Sequence, residues 1–177
     1  MANSKGLRYA DDTDRAYGVA GMAISLVLWD GEPLLASASL DRAVGSALDF
    51  TPAFGFSGNP RYTASLAWRQ LLKQYEMVTA MIMGNALCRA YVGSSQPLSS
   101  AMGFELLDAI RAEGREACSL DDDEIDIIFN KTHRYLDRVF AHSGVSTLAR
   151  SLADNLLTRR TMTASEVFDI LAELNRM

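Results

Sequence analysis

A mainly α-helical fold is predicted by three features of the sequence. Apolar residues recur every three or four positions through most of the chain, capping residues stand at the starts of those runs, and no linker or repeat divides the series. The chain has 177 residues and is 49% hydrophobic, enough for one core that removes roughly two-thirds of the extended surface from water. One region alone, near residues 34–50, suits a small β-hairpin or sheet. A single domain over residues 1–177 is expected, with residues 1–12 as a flexible N-terminus.

Asp11, Asp12, Thr13 and Asp14 supply capping oxygens and negative charge at the positive end of a helix dipole. The run from Arg15 to Trp29 is apolar on nearly all sides and predicts a buried central helix. Gly18 and Gly21 each cost about 1 kcal/mol relative to alanine there, so they imply either close packing or an interruption. Asp30-Gly31-Glu32-Pro33 stops the helix. Leu34–Leu40 alternates roughly and pairs naturally with Ala47–Phe50. Thr51–Pro60 reads as a loop held by aromatic contacts, with Phe54 and Phe56 expected to pack rather than to bind.

Leu66, Leu71, Leu72, Tyr75, Val78, Thr79 and Ile82 mark a long amphipathic helix over Tyr62–Ile82. Gly84 is expected to break it, with a shorter helix over Asn85–Val92. Another begins after Pro97, Ser99 and Ser100 and places Leu106, Ala109 and Ile110 on one face. The acidic cluster Asp121–Glu124 precedes a run from Ile125 to Phe140, where it is expected to serve the helix N-terminus rather than a ligand. Gly144 separates that run from the one carrying Val145, Leu148, Leu152 and Leu156. Thr163-Ala-Ser-Glu166 is a capping box opening a last helix with Val167, Ile170, Leu171 and Leu174.

Acidic side chains outnumber basic ones 22 to 17 for a net charge of −5, which gives no footprint for nucleic acid or an anionic membrane. Val19–Trp29, the best apolar run, is about half as long as the roughly 20 residues a membrane span needs. Met1–Asp14 lacks the basic, apolar and cleavage regions of a secretory signal. Cys88 and Cys118 lie in apolar runs and read as buried free thiols, so the cytoplasm is the expected compartment.

A zinc hydrolase helix places two histidines four apart with a glutamate beside the first. This chain has two histidines, His133 and His142, whose spacing would set them on opposite sides of a helix at about 100° per residue. Neither cysteine has a close ligand partner. No Walker A, dinucleotide or GxSxG pattern occurs. Ser94, Ser95, Ser99 and Ser100 lack a recognisable activating base. Glu105 and Asp108 share a helix face, as many solvated pairs do. No cofactor or metal is expected.

The segment Ala16-Tyr-Gly-Val-Ala-Gly-Met-Ala-Ile24 resembles the zinc helix of the FtsH-type (M41) ATP-dependent metallopeptidases, which carry HEAGHA there. Ala16, Tyr17, Ala20, Gly21, Ala23 and Ile24 match, while Gly18, Val19 and Met22 stand at the first histidine, the catalytic glutamate and the second histidine. Gly84–Gly93 is similar to that family's Gly-Arg-x-Ala-Glu-Glu stretch, with Cys88 and Arg89 at acidic positions. Glu105-Leu-Leu-Asp-Ala109 resembles the Asp-Leu-x-x-Ala segment carrying the third zinc ligand. Leu148–Leu171, with Arg160-Thr-Met162 and Ser165-Glu-Val167, is similar to the final helices.

The resemblance implies a helical peptidase-like fold, in a family that joins it to an ATPase and assembles as a hexamer. Gly18 and Val19 supply neither a nitrogen ligand nor a base, and Met22 does not replace histidine as one. Gly18, Val19, Met22 and Glu105 are therefore expected to mark a vacated site, with no catalytic residue among them. The expected function is non-catalytic: binding a protein or peptide, or self-association. The alternative is a hydrolase, or a relative of ATP-dependent peptidases, with a displaced site drawing on Glu105, Asp108, His133 or His142.

Overall fold

The computed structural model of the chain describes residues 8–43, 45–54 and 64–176. These residues form six α-helices and a three-stranded antiparallel sheet. Helix α1 (Asp12–Leu28) is the buried central helix the sequence predicts: Ala16, Val19, Ala20, Ala23, Ile24 and Leu26 are fully enclosed. Its first turn is capped by Asp11, whose side chain accepts from the Asp14 N–H at 2.8 Å.

The sheet lies near residues 34–50 as expected, with one addition. Strand β1 (Leu35–Ser39) pairs with β2 (Leu48–Phe50), and a register irregularity falls between Leu35 and Ser37. The other edge of β1 is taken by β3 (Thr161–Thr163), which places Ala38 opposite Met162. The sequence reading did not foresee β3. In the following loop, Phe54 stacks on Phe50 with ring centroids 3.9 Å apart. Phe56 lies outside the described residues.

Helix α2 (Ala64–Cys88) corrects the expectation that Gly84 ends a helix. The helix runs straight through that glycine and ends in a wider π-type turn, Arg89–Gly93, in which the Ser94 N–H donates to the Arg89 carbonyl at 2.9 Å. A short separate helix over Asn85–Val92 does not form. The physical reason is the crossing with α1. A methyl added at Gly21 would overlap the Gly84 carbonyl oxygen, and one at Gly84 would overlap Ser25 Oγ. Both glycines let two backbones meet, and the packing gained outweighs their helix-propensity cost of about 1 kcal/mol each.

Helices α3 (Ser100–Cys118) and α4 (Asp122–Phe140) follow their predicted stripes, burying Leu106 and Ile110, and Ile125, Leu136 and Phe140. Asp121 and Glu124 form a capping box that begins α4. Helix α5 (Ser143–Arg159) contains Gly144 in its first turn, so the break between α4 and α5 falls at Ala141–His142 rather than at the glycine. Thr163 and Glu166 make the expected capping box of α6 (Ala164–Leu171). Leu174 is buried beyond that helix, in a final 3-10 turn.

Helix α1 packs on α2 and α5, α2 carries α3 and α4 on other faces, and α6 closes over β1. No helix among the described residues is long and apolar enough to cross a membrane. The segment expected to be flexible lies outside the described residues up to residue 7. From Arg8 onward it is held: the Arg8 carbonyl accepts from Arg89 Nη2 at 2.8 Å, and Tyr9 Oη accepts from Asn85 Nδ2 at 2.7 Å.

Candidate functional site

Gly18 and Met22 lie one turn apart on the α1 face turned toward α2, which supplies Asn85. The Asn85 amide donates to Met22 Sδ at 3.4 Å as well as to Tyr9 Oη. A methyl at Gly18 would meet Asn85 Nδ2 at 2.7 Å and Tyr9 Cε1 at 2.8 Å. The space beside Gly18 is thus filled by an amide and a phenol ring. Val19 points into the core and is fully enclosed. None of these groups offers a base of useful strength, and the Met22 thioether is occupied as a hydrogen-bond acceptor.

One turn nearer the start of α1, Asp14 meets Arg89 from the π-type turn. The pair is bidentate, with Arg89 Nε to Asp14 Oδ1 and Nη2 to Oδ2 both at 2.7 Å. The Arg89 side chain is only 8% exposed, and its guanidinium carbon lies 4.9 Å from the centre of the Tyr9 ring. Burial by itself raises the Asp14 carboxyl. Hydrogen bonds from Arg89 and the Ala10 N–H, with the Arg89 charge, outweigh that and hold it below its ordinary value. Asp14 is an anchored carboxylate.

A cleft of about 470 Å³ opens beside this pair, lined by Asp14, Tyr17, Arg89, Gly93, Ser99 and Met102 among others. Ser99 is engaged as the α3 cap, accepting from the Met102 N–H at 3.3 Å. Glu105 stands one turn further along α3, half-buried, and does not line the cleft. Helix α3 packs against α2 and α4. Asp108 is exposed on the same helix.

His133 and His142 belong to different elements, because α4 ends at Phe140. They do not sit on opposite sides of one helix. His133 is half-buried and stacked near Phe129, centroids 6.0 Å apart. His142 caps α5, its Nδ1 accepting from the Gly144 N–H at 3.2 Å. Both cysteines are free and buried. Burial pushes both thiols upward, Cys88 most strongly, which disfavours the thiolate needed for nucleophilic or ligand chemistry. Among the described residues, no group of three or more His, Cys, Asp and Glu side chains is placed to hold a metal ion.

Sequence reasoning passed over Tyr9, Asn85 and the Asp14–Arg89 pair. One signal was present: an arginine inside the apolar run Ala86–Val92 needs a carboxylate partner. It also passed over the outer face of α4, where Lys131, Arg134 and Arg138 recur at helical spacing beside shallow grooves with Ile127, Tyr135 and Leu28. No protein-family model, curated protein or solved structure matches the chain.

Proposed function

We propose that this chain is a non-catalytic domain on a scaffold like that of the FtsH-type peptidases, and that it works in the cytoplasm by holding protein: a peptide segment or another copy of itself. The observation that carries this reading is the infilling of the Gly18–Met22 face by Asn85 and Tyr9. At the two positions where the resembling family has histidines, this chain has a glycine in contact with an amide and a thioether accepting a hydrogen bond. Support for a reducing compartment comes from Cys88 and Cys118, both free and buried.

The test is made on untagged protein purified without chelator and equilibrated with trace zinc. Metal content is measured by inductively coupled plasma mass spectrometry, and cleavage of fluorescein-labelled casein is followed on the same sample. The expected result is no stoichiometric zinc and no cleavage. Sedimentation should show the chain bound to unfolded casein or to itself. Zinc near one per chain, with casein cleavage abolished by chelator, would overturn the reading in favour of a displaced site. A zinc-free chain that remains monomeric with and without casein would overturn its binding half.

A further inference from the structure

Helix α4 carries an exposed stripe made of Asp123, Ile127, Asn130, Lys131, Arg134 and Arg138. At about 100° per residue these six fall within roughly 100° of arc, one face of the helix. Its first end is acidic and its second end basic. Ile127 lies between them with 69% of its surface exposed. Among the described residues no carboxylate pairs with Lys131, Arg134 or Arg138; Arg69, Lys73 and Arg150 also lack one, but the three on α4 stand together on one helix face.

Helix-dipole complementarity explains Asp123 and Arg138 but not the two cations further from the ends. Lys131 and Arg134 are three apart, and Arg134 and Arg138 four apart, so the like charges repel along the stripe. In a chain of net charge −5, this basic half-helix is a local inversion that an acidic surface would relieve.

The same stripe holds the complement. About a two-fold axis passing between Asn130 and Lys131, Asp123 falls opposite Arg138 of a second copy, Ile127 opposite the aliphatic stem of Arg134, and Asn130 opposite Lys131. We propose that α4 pairs antiparallel with α4 of a second copy in this register, forming an isologous dimer. Asp123 and Arg138 are about 22 Å apart along the axis at 1.5 Å per residue, so the two ion pairs stand at opposite ends of the contact. Ile127 covers the space between each pair and the axis. Arg111 with Asp126 and Arg115 with Asp122 tie α3 to α4 beside the stripe at 2.6 Å. They leave Asp123 free to face outward.

This inference deepens the assembly half of the proposed function and rests on it. Sedimentation velocity over a range of concentrations and salt, with the full chain, tests it. The expected result is a dimer weakened by 0.5 M salt. Arg138→Glu and Asp123→Arg are each expected to raise the dissociation constant about tenfold or more. The double variant, which swaps the charges, is expected to recover most of the wild-type value.

Circular-dichroism melts separate these effects from loss of fold. A dimer indifferent to both reversals, or one that the swap fails to rescue, would overturn the α4 pairing and leave the assembly reading standing. A monomer that binds poly-glutamate through the basic half-stripe would overturn it in favour of an acidic partner. A monomer that binds neither casein nor itself would remove both readings.

Discussion

The crossing of α1 with α2 and the outer face of α4 solve opposite problems with the same secondary structure. At the crossing, Gly21, Gly84 and Ser25 bring two helices so close that a single added carbon has no room. On α4, six side chains of one face stand in solvent, and three of them are cations that, among the described residues, form no ion pair. One surface is specified by what it excludes, the other by what it leaves unsatisfied. Stability should therefore depend steeply on the first and hardly at all on the second.

The largest effect is expected at the crossing. Gly21→Ala should destabilise the fold by about 3 kcal/mol in urea unfolding, because the atom it meets belongs to backbone and the helices must separate. A loss below about 1 kcal/mol would show that the crossing is looser than described. Gly18→Ala is a built-in control, since the atoms it would meet are the ends of Asn85 and Tyr9, which can move. Its cost should be nearer about 1 kcal/mol, partly offset by the better helix propensity of alanine.

Arg89→Met comes next, at about 2 kcal/mol, because it removes the buried arginine's bidentate pair and leaves Asp14 half-buried without its ion-pair partner. The same pair predicts a pH dependence. The folded-state Asp14 carboxyl titrates below its ordinary value of 3.8. Its contribution is complete above the unfolded-state value and is lost as pH falls through the lower folded one. Acid unfolding of wild type should steepen below about pH 4, and Arg89→Met should lessen that dependence. Equal slopes for the two proteins would argue against the assignment.

Thr163→Ala removes the α6 cap and should cost about 1 kcal/mol by thermal melting. The smallest effect is expected on the other side of the comparison. Arg134→Ala should change stability by less than about 0.5 kcal/mol, while still altering the salt dependence of self-association. A strong destabilisation there would mean that the stripe belongs to the fold rather than to a contact.

The helices were legible where the signal is local. Asp11, Asp121 and Thr163 cap through atoms three residues away, and the stripes of α3 and α4 need only the helical period. Gly84 was misread because a glycine's meaning is decided by the helix lying across it, and the sequence does not say which helix that is. Strand β3 escaped for a similar reason. Thr-Met-Thr is extended because β1 is there to pair with it, not because three residues have a strong preference. At the candidate site, the Gly18–Met22 spacing was visible in the chain. The filling of that face by Tyr9 and Asn85 depends on residues 76 positions apart and was not.

The pairing of β1 with β3 has a kinetic side. Ser39 Oγ and Thr161 Oγ1 lie 2.8 Å apart across a separation of 122 residues, and the Leu40 N–H donates to the Arg160 carbonyl at 2.8 Å. Closing so long a loop costs entropy before any of these contacts repays it. The packing of α1 (Asp12–Leu28) on α5 (Ser143–Arg159) closes a loop of the same order, so the sheet and that helix pair wait on one event. Until α5 and β3 arrive together, β1 presents an open edge to any other strand in reach, and a chain that stalls before that closure is the form most prone to aggregate.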